Sequence, residues 1–511
     1  MSGGAMGAKL LIGLDCGTQS IRALLADTRG RTLACASRPT PVIGRGPGAA
    51  EYAPQALWRC VLEVLGEIAP RHAEVAGIAC ASMGEACALL DADGREVAPI
   101  ITWFDRRTEP DAAALAARGD PARLSAITGL PVDPTLTLCK LLWHRRTDPA
   151  GFARVRRVLN LADWVAFRLC GAAATDLSLA SRTFCLDVAA GDWSAEVLAL
   201  AGIDRALLPP IRPSGTRIAQ MRAEVLAATG LRGAPAVGVG GHDHVCGGFA
   251  AGAVRPGVLL DSMGTAEALL RTIDRPLADP AARHLGYWQG AVGLDRRFGY
   301  VGAGINSSGG AIEWFRAMLG DPPHAALIAE AEAVAPGSSG AVFLPHLAYS
   351  TPPVVDLAAR GAFIGLTAGT TRGAMFRAVL EGLAMEARLS ADGMAALVGA
   401  PDDIRVIGGN TRNDLLLRIK AAVFGRTLTV IAEPEATALG AALLGGLAAG
   451  LWPDMAAAQA AIEQERRCVE PDPRWIGLYD RLFREVYCRV YPALAPLGAA
   501  LGGVAAGMSA A

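Results

Sequence analysis

The stretch Leu11-Ile-Gly-Leu-Asp15-Cys-Gly17-Thr18-Gln-Ser20-Ile-Arg22 places an apolar run, a Gly-Thr pair and the start of a second apolar run in succession. This order is typical of a β-hairpin whose tight turn carries a glycine and a hydroxyl. A glycine lets the backbone approach a ligand, and turn N–H groups beside a hydroxyl can hold phosphate oxygens. One such hairpin alone would be weak evidence, because most are only turns.

The pattern returns about halfway along the chain, as Val258-Leu-Leu-Asp-Ser262-Met-Gly264-Thr265-Ala-Glu267. Two copies predict two similar domains, each presenting a phosphate-binding turn to a shared cleft. Strand and helix signals alternate throughout, so the predicted class is α/β. We expect an N-terminal domain over residues 9–253, a C-terminal domain over 254–490 and a flexible tail over 491–511, with a hinge near 251–256.

Composition limits the functional classes. The chain has 511 residues, of which 52% are apolar and 19% charged, and its net charge is −1. This length exceeds one ordinary core, and the charge favours neither nucleic acid nor an acidic membrane surface as a partner. The weakly polar stretch 438–452 is interrupted by glycines and is too short for a membrane span. Eleven scattered cysteines predict a cytoplasmic protein, and residues 1–8 are expected to be a flexible leader without a signal peptide.

Several acidic and basic side chains follow predicted strands. Asp243 could accept a proton from a substrate hydroxyl, since ligands bind at strand ends in open α/β sheets, or it could belong to an ordinary acidic loop. Asp15 could hold Mg²⁺ bridged to phosphates or cap the hairpin turn. Arg22 could pair with a phosphate or lie on a surface strand. His242 and His244 lack further ligands nearby, so they do not predict a metal site.

Two further groups have a chemical and a structural interpretation. Glu85, Trp103 and Asp105 flank a predicted hairpin of residues 86–90 and 97–102 and could bind a polyol, although Trp103 could equally be a core residue.

The second group, Gly409 and Asn413, lies between a strand and a helix. A glycine pair there lets a flat ring lie against the backbone, while Asn413 could bind a ribose or a base, or merely cap the helix. Neither a P-loop nor a Rossmann fingerprint is present.

Taken together, these residues resemble the FGGY carbohydrate kinase family of the sugar kinase, actin and heat-shock ATPase superfamily. The similar motifs follow the family's order over roughly residues 9–490. They are Asp15-Cys-Gly-Thr-Gln-Ser-Ile-Arg22, Trp103-Phe-Asp-Arg-Arg107, Thr175-Asp176-Leu-Ser178 with Ala180-Ser181, Gly241-His-Asp243, Ser262-Met-Gly-Thr265, Gly309-Gly-Ala-Ile-Glu-Trp314, Phe363-Ile-Gly-Leu-Thr367, Arg377-Ala-Val-Leu-Glu-Gly382, Gly408-Gly409 with Asn413, and Glu435-Ala-Thr-Ala-Leu-Gly-Ala-Ala442.

The resemblance implies two RNase-H-like, actin-like ATPase domains around a central cleft, with ATP and Mg²⁺ as cofactors. It implies that Asp243 is the catalytic base and that Asp15 and Asp243 serve the metal. The nucleotide contacts it implies are Thr18, Gln19, Ser20, Arg22, Gly264, Thr265, Gly309, Gly409 and Asn413. The substrate contacts it implies are Met83, Gly84, Glu85, Trp103, Asp243 and His244.

The sugar is less well defined than the family. Glycerol kinases carry Arg-Glu where this chain has Gly84-Glu85, and a tyrosine where it has Thr135, so glycerol is disfavoured. Xylulokinases typically carry Met-His at the former position, and the segment from Tyr349 replaces another family motif. Gly84 in place of a bulky residue suggests a roomier pocket. We expect a pentulose such as xylulose, with ribulose, a tetrulose or a glycerol-like polyol as alternatives.

Two other classes stay open at this point, an ATP-driven conformational machine and a catalytically silent sugar sensor. The sugar-side residues and Asp243 argue against the machine, and the presence of both Asp15 and Asp243 argues against the sensor. The expected partners are a small sugar and ATP, without nucleic acid or a membrane. The sequence leaves open whether the chain forms a homodimer.

Overall fold

The protein is described from a computed structural model of the full chain, which covers residues 9–46, 48–70, 73–277, 281–294 and 297–509. The side chains of residue 499 and residues 502–509 are left aside. The predicted leader, residues 1–8, lies outside the described residues.

Strands occur along most of the chain, consistent with the predicted α/β class. They are β1 (Leu10–Cys16), β2 (Ser20–Asp27), β3 (Thr32–Pro39), β4 (Val42–Gly46), β5 (Ala49–Tyr52), β6 (Val75–Ser82), β7 (Cys87–Leu90), β8 (Ile100–Ile101), β9 (Arg157–Asn160), β10 (Leu186–Asp187), β11 (Asp192–Trp193), β12 (Arg217–Gln220), β13 (Ala236–Gly238), β14 (Gly241–His242), β15 (Val258–Met263), β16 (Glu267–Ile273), β17 (Trp288–Gly293), β18 (Arg297–Ile305), β19 (Val342–Leu344), β20 (Ala362–Ile364), β21 (Asp403–Ile407), β22 (Leu428–Ile431) and β23 (Arg466–Val469).

Helices alternate with these strands. They are α1 (Pro54–Ile68), α2 (Glu109–Arg118), α3 (Pro121–Thr128), α4 (Thr137–Thr147), α5 (Pro149–Phe152), α6 (Leu161–Cys170), α7 (Leu177–Ser181), α8 (Ala195–Ala201), α9 (Ala223–Thr229), α10 (Asp243–Ala251), α11 (Ala281–His284), α12 (Gly309–Met318), α13 (His324–Glu332), α14 (Arg372–Val398), α15 (Asp414–Phe424), α16 (Ala436–Ala448), α17 (Met455–Ala461), α18 (Pro473–Leu482) and α19 (Cys488–Ser509).

Two large sheets repeat the same topology. In the N-terminal half the order is β12-β13-β6-β1-β2-β3, with β1, β2 and β3 antiparallel in sequence and β6 and β13 added in parallel. In the C-terminal half β15, β16 and β18 form the antiparallel part, and β21 and β22 are added in parallel. The equivalence confirms the duplication predicted from the two Gly-Thr hairpins.

One predicted hairpin forms only in part. The Gly94 N–H donates to the Asp91 carbonyl at 3.1 Å, and the Val97 N–H donates to the Leu89 carbonyl at 2.8 Å beside the bridge from Leu90 to Glu96. Beyond Val97 the predicted pairing ends, because β7 pairs with β9 and β8 pairs with β5. The Asp-Gly turn was thus predicted correctly from local residues, but β7 and β8 form their main hydrogen-bonded pairs with strands distant in sequence.

The two halves meet through α16, which packs on β1, β6 and α10. Contact is backbone to backbone: a Cβ added at Gly13 would lie 1.7 Å from the Ala438 carbonyl oxygen, and one at Gly440 would lie 1.8 Å from that of Cys246. The core around this helix combines buried apolar side chains of both halves. The small residues of α16 are therefore needed to let the two halves approach.

The helix α19 extends to Ser509, and the flexibility of the tail expected over 491–511 stays a prediction. Among the described residues, no helix is both long and apolar enough to cross a membrane. The domain limits and the hinge near 251–256 stay predictions.

Candidate active site

The first Gly-Thr turn joins β1 to β2. The Gly17 N–H donates to the Ser20 carbonyl at 3.0 Å, which closes the turn. Thr40 fixes it from the neighbouring strand, since its hydroxyl donates to the Gly17 carbonyl at 2.8 Å. The Trp103 indole N–H donates to the Thr18 hydroxyl at 2.8 Å. The turn is thus held from three sides in one conformation.

The second Gly-Thr turn joins β15 to β16 and lies against the start of α12. The N–H groups of Gly309 and Gly310 donate to the carbonyls of Gly264 and Thr265 at 3.1 and 2.9 Å. A Cβ on Gly309 would lie 2.6 Å from the Gly264 oxygen, so this close approach requires a glycine. The side chain of Asn410 adds a hydrogen bond to the same oxygen at 3.1 Å.

Both turns meet across the junction of the two halves. The Gln19 side-chain amide donates to the Thr265 hydroxyl at 2.9 Å. Nδ1 of His244, in α10, lies 3.2 Å from the Ser262 hydroxyl at the base of the second hairpin. The sequence predicted two turns facing one cleft, and the fold brings them into direct contact.

Asp243 is the first residue of α10, where the helix dipole favours a negative charge. Its Oδ1 accepts a hydrogen bond from the His244 N–H at 2.7 Å, and Nε2 of His242 lies 3.4 Å away. Burial by itself would raise the pKa of this carboxyl, but the neighbouring histidines and the backbone N–H outweigh burial, so the pKa lies below its usual value. An ionised carboxylate is what a general base requires.

Asp15 lies close to Asp243 and is almost fully buried. Burial, and secondly the charge of Asp243, raise the pKa of Asp15 to about 7. Its Oδ1 has no hydrogen-bond partner among the described residues, and Arg22 approaches its Oδ2 at 4.0 Å. Two carboxyl groups in one buried place repel each other unless a cation joins them.

Asp15 and Asp243 alone supply too few ligands for a magnesium ion, but they fit one whose remaining ligands come from substrate phosphates and water. Among the residues that the structure describes, no group of three His, Cys, Asp or Glu side chains could hold a metal. Mg²⁺ prefers near-octahedral oxygen coordination and commonly combines one or two carboxylates with substrate phosphates. The orphaned Oδ1 of Asp15 is the oxygen that such an ion would use.

Glu435 was quoted in a motif but given no role by sequence reasoning. It immediately precedes α16, and its carboxylate lies 3.2 Å from the Arg22 guanidinium of the other half. Arg22 therefore lies between Asp15 and Glu435, within reach of the first turn. Strand pairing alone could not have indicated this contact, because it joins residues more than four hundred positions apart.

On the predicted sugar side, Glu85 has a backbone φ of 61°, which is uncommon for a residue with a side chain. Its carbonyl accepts hydrogen bonds from the Lys140 ammonium at 2.9 Å and the Thr137 hydroxyl at 3.2 Å. Burial lowers the pKa of Lys140 to about 8. Strained backbone that is fixed by several partners is typical of functional sites.

Arg182 is the site residue that sequence reasoning missed. It follows α7, and its Nε donates to Oε1 of Glu85 at 2.6 Å. A Cβ on Gly84 would lie 2.8 Å from Cγ of Arg182 and 3.2 Å from Cδ2 of His242. The expected roomier pocket at Gly84 is therefore wrong, because these two side chains occupy the space.

Other predicted polyol contacts have structural partners. The Met83 side chain is 4% exposed, packs in the N-terminal core and accepts a hydrogen bond from Tyr52 at 3.2 Å. Asp105 is fully buried, bound to Arg107 and to the Ala50 N–H, so it fastens a loop rather than faces a ligand. Trp103 contacts Thr18, which joins it to the phosphate turn as well.

The predicted nucleotide side has open backbone. Gly409 is exposed, and a Cβ added there would meet nothing within 4 Å. Gly408 has a φ of 101° and lies against the backbone of Met263, which brings this loop beside the second turn. Asn413 caps α15 by accepting from the Leu416 N–H at 3.1 Å, the structural alternative predicted from sequence.

A buried ion triad supports the second hairpin from below. The Lys420 ammonium, on α15, binds Asp261 of β15 and Glu267 of β16, the latter at 2.7 Å. Burial, and secondly Glu267, raise the pKa of Asp261 to about 7. Ser308 donates to the other oxygen of Glu267 at 2.7 Å. The triad fixes α15 against the hairpin that carries the second turn.

Comparison with known proteins agrees with this architecture. Residues 10–250 match the N-terminal domain, and residues 259–449 the C-terminal domain, of the FGGY family of carbohydrate kinases. The glycerol kinase of Gloeobacter violaceus is 36% identical over 90% of this chain and 92% of its own length. The xylulose kinase of Bacillus subtilis is 26% identical over 94% of this chain and 97% of its own.

A solved structure extends the likeness to three dimensions. The ligand-bound xylulose kinase from Lactobacillus acidophilus superposes with a TM-score of 0.87 at 26% identity, covering 95% of this chain and 98% of that one. The predicted two-domain, actin-like architecture is thereby confirmed. The chain belongs to the FGGY family of carbohydrate kinases, ATP-dependent enzymes that transfer a phosphoryl group to a sugar or polyol hydroxyl.

Proposed function

We propose that this kinase phosphorylates a small ketose or polyol with Asp243 as its general base. One observation carries the assignment: Asp243, whose pKa lies below its usual value, begins α10 beside Asp15, where the two Gly-Thr turns meet. A base must lie within reach of the attacking hydroxyl, and the phosphoryl group must lie within reach of both turns. The junction of the turns satisfies both conditions in one place.

The chemistry follows from positioning and charge. The substrate oxygen attacks the γ-phosphorus, its proton passes to the Asp243 carboxylate, and the bond from that phosphorus to ADP breaks. Backbone N–H groups of the two turns and the Arg22 guanidinium would offset the charge on the phosphoryl oxygens. Magnesium, when bound, would neutralise phosphate charge, and Asp15 and Asp243 are the residues that would hold it. Ordering the turns around ATP would also exclude water from the γ-phosphate.

The adenosine half of ATP would lie against the C-terminal half. The exposed Gly409, the Gly408 backbone and the start of α15 at Asn413 offer a flat, open surface beside the second turn. Thr18, Gln19, Ser20 and Thr265 would contact the phosphates. His244 would contact the substrate side, since it lies next to Asp243.

For the substrate, a pentulose such as xylulose is the first candidate, and a glycerol-like polyol is the second. The likeness to xylulose kinases over nearly the whole fold supports the first, and the 36% identity with a glycerol kinase supports the second. Because Arg182 and His242 occupy the space beside Gly84, the pocket favours small substrates over bulky ones.

A coupled ADP-release screen tests the function directly. Pentuloses, hexuloses, tetruloses, polyols and aldonates would be compared at equal concentration with ATP and Mg²⁺. We expect at least one small ketose or polyol to accelerate ADP release far above the rate with ATP alone. A flat response over the whole panel would contradict the proposal and would instead favour a silent sugar sensor or a conformational ATPase.

A further inference from the structure

The pair formed by Glu85 and Arg182 leaves one guanidinium nitrogen unused. Nε and Nη2 of Arg182 lie 2.6 and 2.5 Å from Oε1 of Glu85, and the guanidinium carbon lies 4.8 Å from the centre of the Trp288 ring. Nη1 is buried and has no hydrogen-bond partner among the described residues. Leaving a buried charged donor unpaired is costly, so this nitrogen indicates a missing acceptor.

The Arg182 side chain packs beside His242, the residue that precedes the proposed base. Arg182 and His242 both lie against the space above Gly84, and His242 is adjacent to Asp243. Nδ1 of His242 is likewise buried without a partner among the described residues. Two side chains that share this space, one of them adjacent to Asp243, thus each carry an orphaned polar atom, which suits a ligand rich in hydroxyl groups.

The backbone on both sides of the pair is fixed in an uncommon conformation. Glu85 has a φ of 61°, and Phe184, two residues after Arg182, has a φ of 65°. Lys140 and Thr137 hold the Glu85 carbonyl, and Phe184 is fully buried. Such strain persists where the surroundings over-determine a geometry, which is expected of a rigid recognition pair.

We propose that Arg182 is a specificity-determining residue whose Nη1 donates a hydrogen bond to the substrate hydroxyl next to the one that Asp243 deprotonates. Oε2 of Glu85, which neither Arg182 contact uses, accepts from the same hydroxyl or from its neighbour. The proposal rests on the proposed kinase function and deepens it, since it defines the substrate as a compound with adjacent hydroxyl groups.

The charge of the pair excludes a competing ligand class. Glu85 neutralises the Arg182 guanidinium at contact distance, so the site offers one donor and one acceptor without a net positive charge. Adjacent hydroxyl groups, which both donate and accept, match that pattern. A carboxylate in the same position would face Glu85 as well as Arg182, so sugar acids are expected to be poor substrates.

The experiment measures kcat/KM for the best substrate of the ADP-release screen and for analogues that each lack one hydroxyl. In the wild-type enzyme we expect one analogue to lose about 10- to 100-fold, the range for a hydrogen bond to a charged group. In Arg182→Met the parent substrate should fall by a similar factor, and the penalty for removing that same hydroxyl should shrink to below about 3-fold. KM for ATP should change little.

Arg168→Met is the matched control. Arg168 also pairs with a carboxylate, that of Glu96 at 2.9 Å, and its guanidinium also lies 4.8 Å from a tryptophan ring centre, that of Trp58. Its loss removes an equivalent ion pair and ring contact, yet the ranking of the analogues should remain that of the wild type.

Gly84→Ala provides an independent variant if Arg182→Met fails to fold. Its Cβ would displace Arg182 at the stem of the side chain, so it should weaken recognition of the same hydroxyl without removing the charge. The proposal is overturned if Arg182→Met, or Gly84→Ala in its place, keeps the full wild-type penalty for every missing hydroxyl. If no sugar stimulates the wild-type enzyme, the proposed function itself fails, which the screen reports separately.

Discussion

The two hairpin turns share a backbone design but differ in length and charge. The first has four residues between the paired Cys16 and Ile21, and the second has three between Met263 and Glu267. The longer first turn sends Gln19 across to Thr265. Two residues before the glycine, the first hairpin carries Asp15, whereas the second carries Ser262. The two copies thus share the neutral N–H donors, but only the first has an acidic group two residues before its glycine.

The strand-end loops diverge in the same way. After β6 comes Glu85, held in a strained conformation by Lys140 and Thr137, whereas after the equivalent β21 come Gly408 and Gly409, which leave the backbone open. Equivalent helices also begin with acids, Asp243 at α10 and Glu435 before α16. His244, the neighbour of Asp243, contacts Ser262 of the second hairpin, and Glu435 contacts Arg22 of the first hairpin. The comparison teaches that a symmetric frame can carry an asymmetric site through a few side chains.

The largest expected effect comes from the acids at the starts of the two equivalent helices, Asp243 and Glu435, which should act on different kinetic constants. Asp243→Asn should lower kcat by about 10²- to 10⁴-fold, the usual scale for loss of a general base, and this loss should exceed any change in KM for ATP that follows from its proposed contact with magnesium. Glu435→Gln, at the equivalent position, should act mainly on ATP binding, because Glu435 contacts Arg22. ADP-release kinetics measure both. Similar losses of kcat in the two variants would break the distinction.

Asp15→Asn should lower activity about 10²-fold and yet stabilise the ligand-free protein at pH 8. Burial raises the pKa of Asp15 to about 7, so the folded form binds its proton more tightly than the unfolded form does. Stability therefore falls as pH rises between about 4 and 7, by at most about 4 kcal/mol. Urea unfolding at pH 8 and pH 5 should show a gain for the variant that shrinks at pH 5.

Two outcomes would contradict that prediction: equal stability at pH 8, or a gain that is the same at both pH values. Ser262→Ala is the control at the equivalent position of the second hairpin. It keeps Asp15, so its difference in stability from the wild type should be the same at pH 8 and pH 5. Protonation of Asp15 should also weaken the binding of ATP with Mg²⁺ as pH falls below about 7, because this carboxyl must be ionised to bind a cation.

Gly309→Ala tests the rigidity of the second turn. Its Cβ would lie 2.6 Å from the Gly264 carbonyl oxygen, a backbone atom that cannot move independently of the turn. We expect a loss of about 1–3 kcal/mol in unfolding free energy and about a 10-fold increase in KM for ATP. Gly304→Ala is the control. Gly304 lies in β18, which pairs with β16 of the second hairpin, and a Cβ there would meet nothing within 4 Å. An ATP affinity equal to that of the control would argue against this role.

The smallest effect concerns the contact between the turns. Gln19→Ala removes an exposed hydrogen bond of 2.9 Å, worth about 0.5–1 kcal/mol, so KM for ATP should change by about 2- to 5-fold. Thr265→Ser keeps the hydroxyl and should behave as the wild type. A loss above about 10-fold in Gln19→Ala would contradict the small effect expected here and would show that the proposed phosphate contact of Gln19 outweighs its hydrogen bond to Thr265.

Much of the fold was predictable from the chain, because it depends on local patterns. The helix over Pro54–Ile68 and the hairpins ending at Gly17 and Gly264 follow from apolar periodicity and turn residues. The hairpin expected around Gly94 forms only next to its turn, because β7 and β8 pair with segments far away in sequence. Pairing partners are set by the tertiary structure, which a local pattern does not contain.

The residues of the candidate site also fall into those that local sequence indicates and those that only tertiary packing reveals. Asp15 and Asp243 could be chosen from the sequence, since an acid at the end of a strand is a local signal. Arg182 and Glu435 could not, because each acquires its contact only when distant elements pack together. A glycine such as Gly84 illustrates the limit: the sequence shows a missing side chain, and only packing shows that Arg182 fills its place.

The sequence by itself determined the duplicated α/β frame, the two glycine turns and the acids beside them, because backbone geometry and strand-end chemistry are encoded over a few residues. The tertiary structure decided how the two halves are joined. It brought Gln19 to Thr265, Arg22 to Glu435 and Arg182 to Glu85. The reason is physical: hydrogen bonds and ion pairs act over a few ångströms. Only the packing of distant elements brings these groups within that range, between the two halves for the first two pairs and within the N-terminal half for the third.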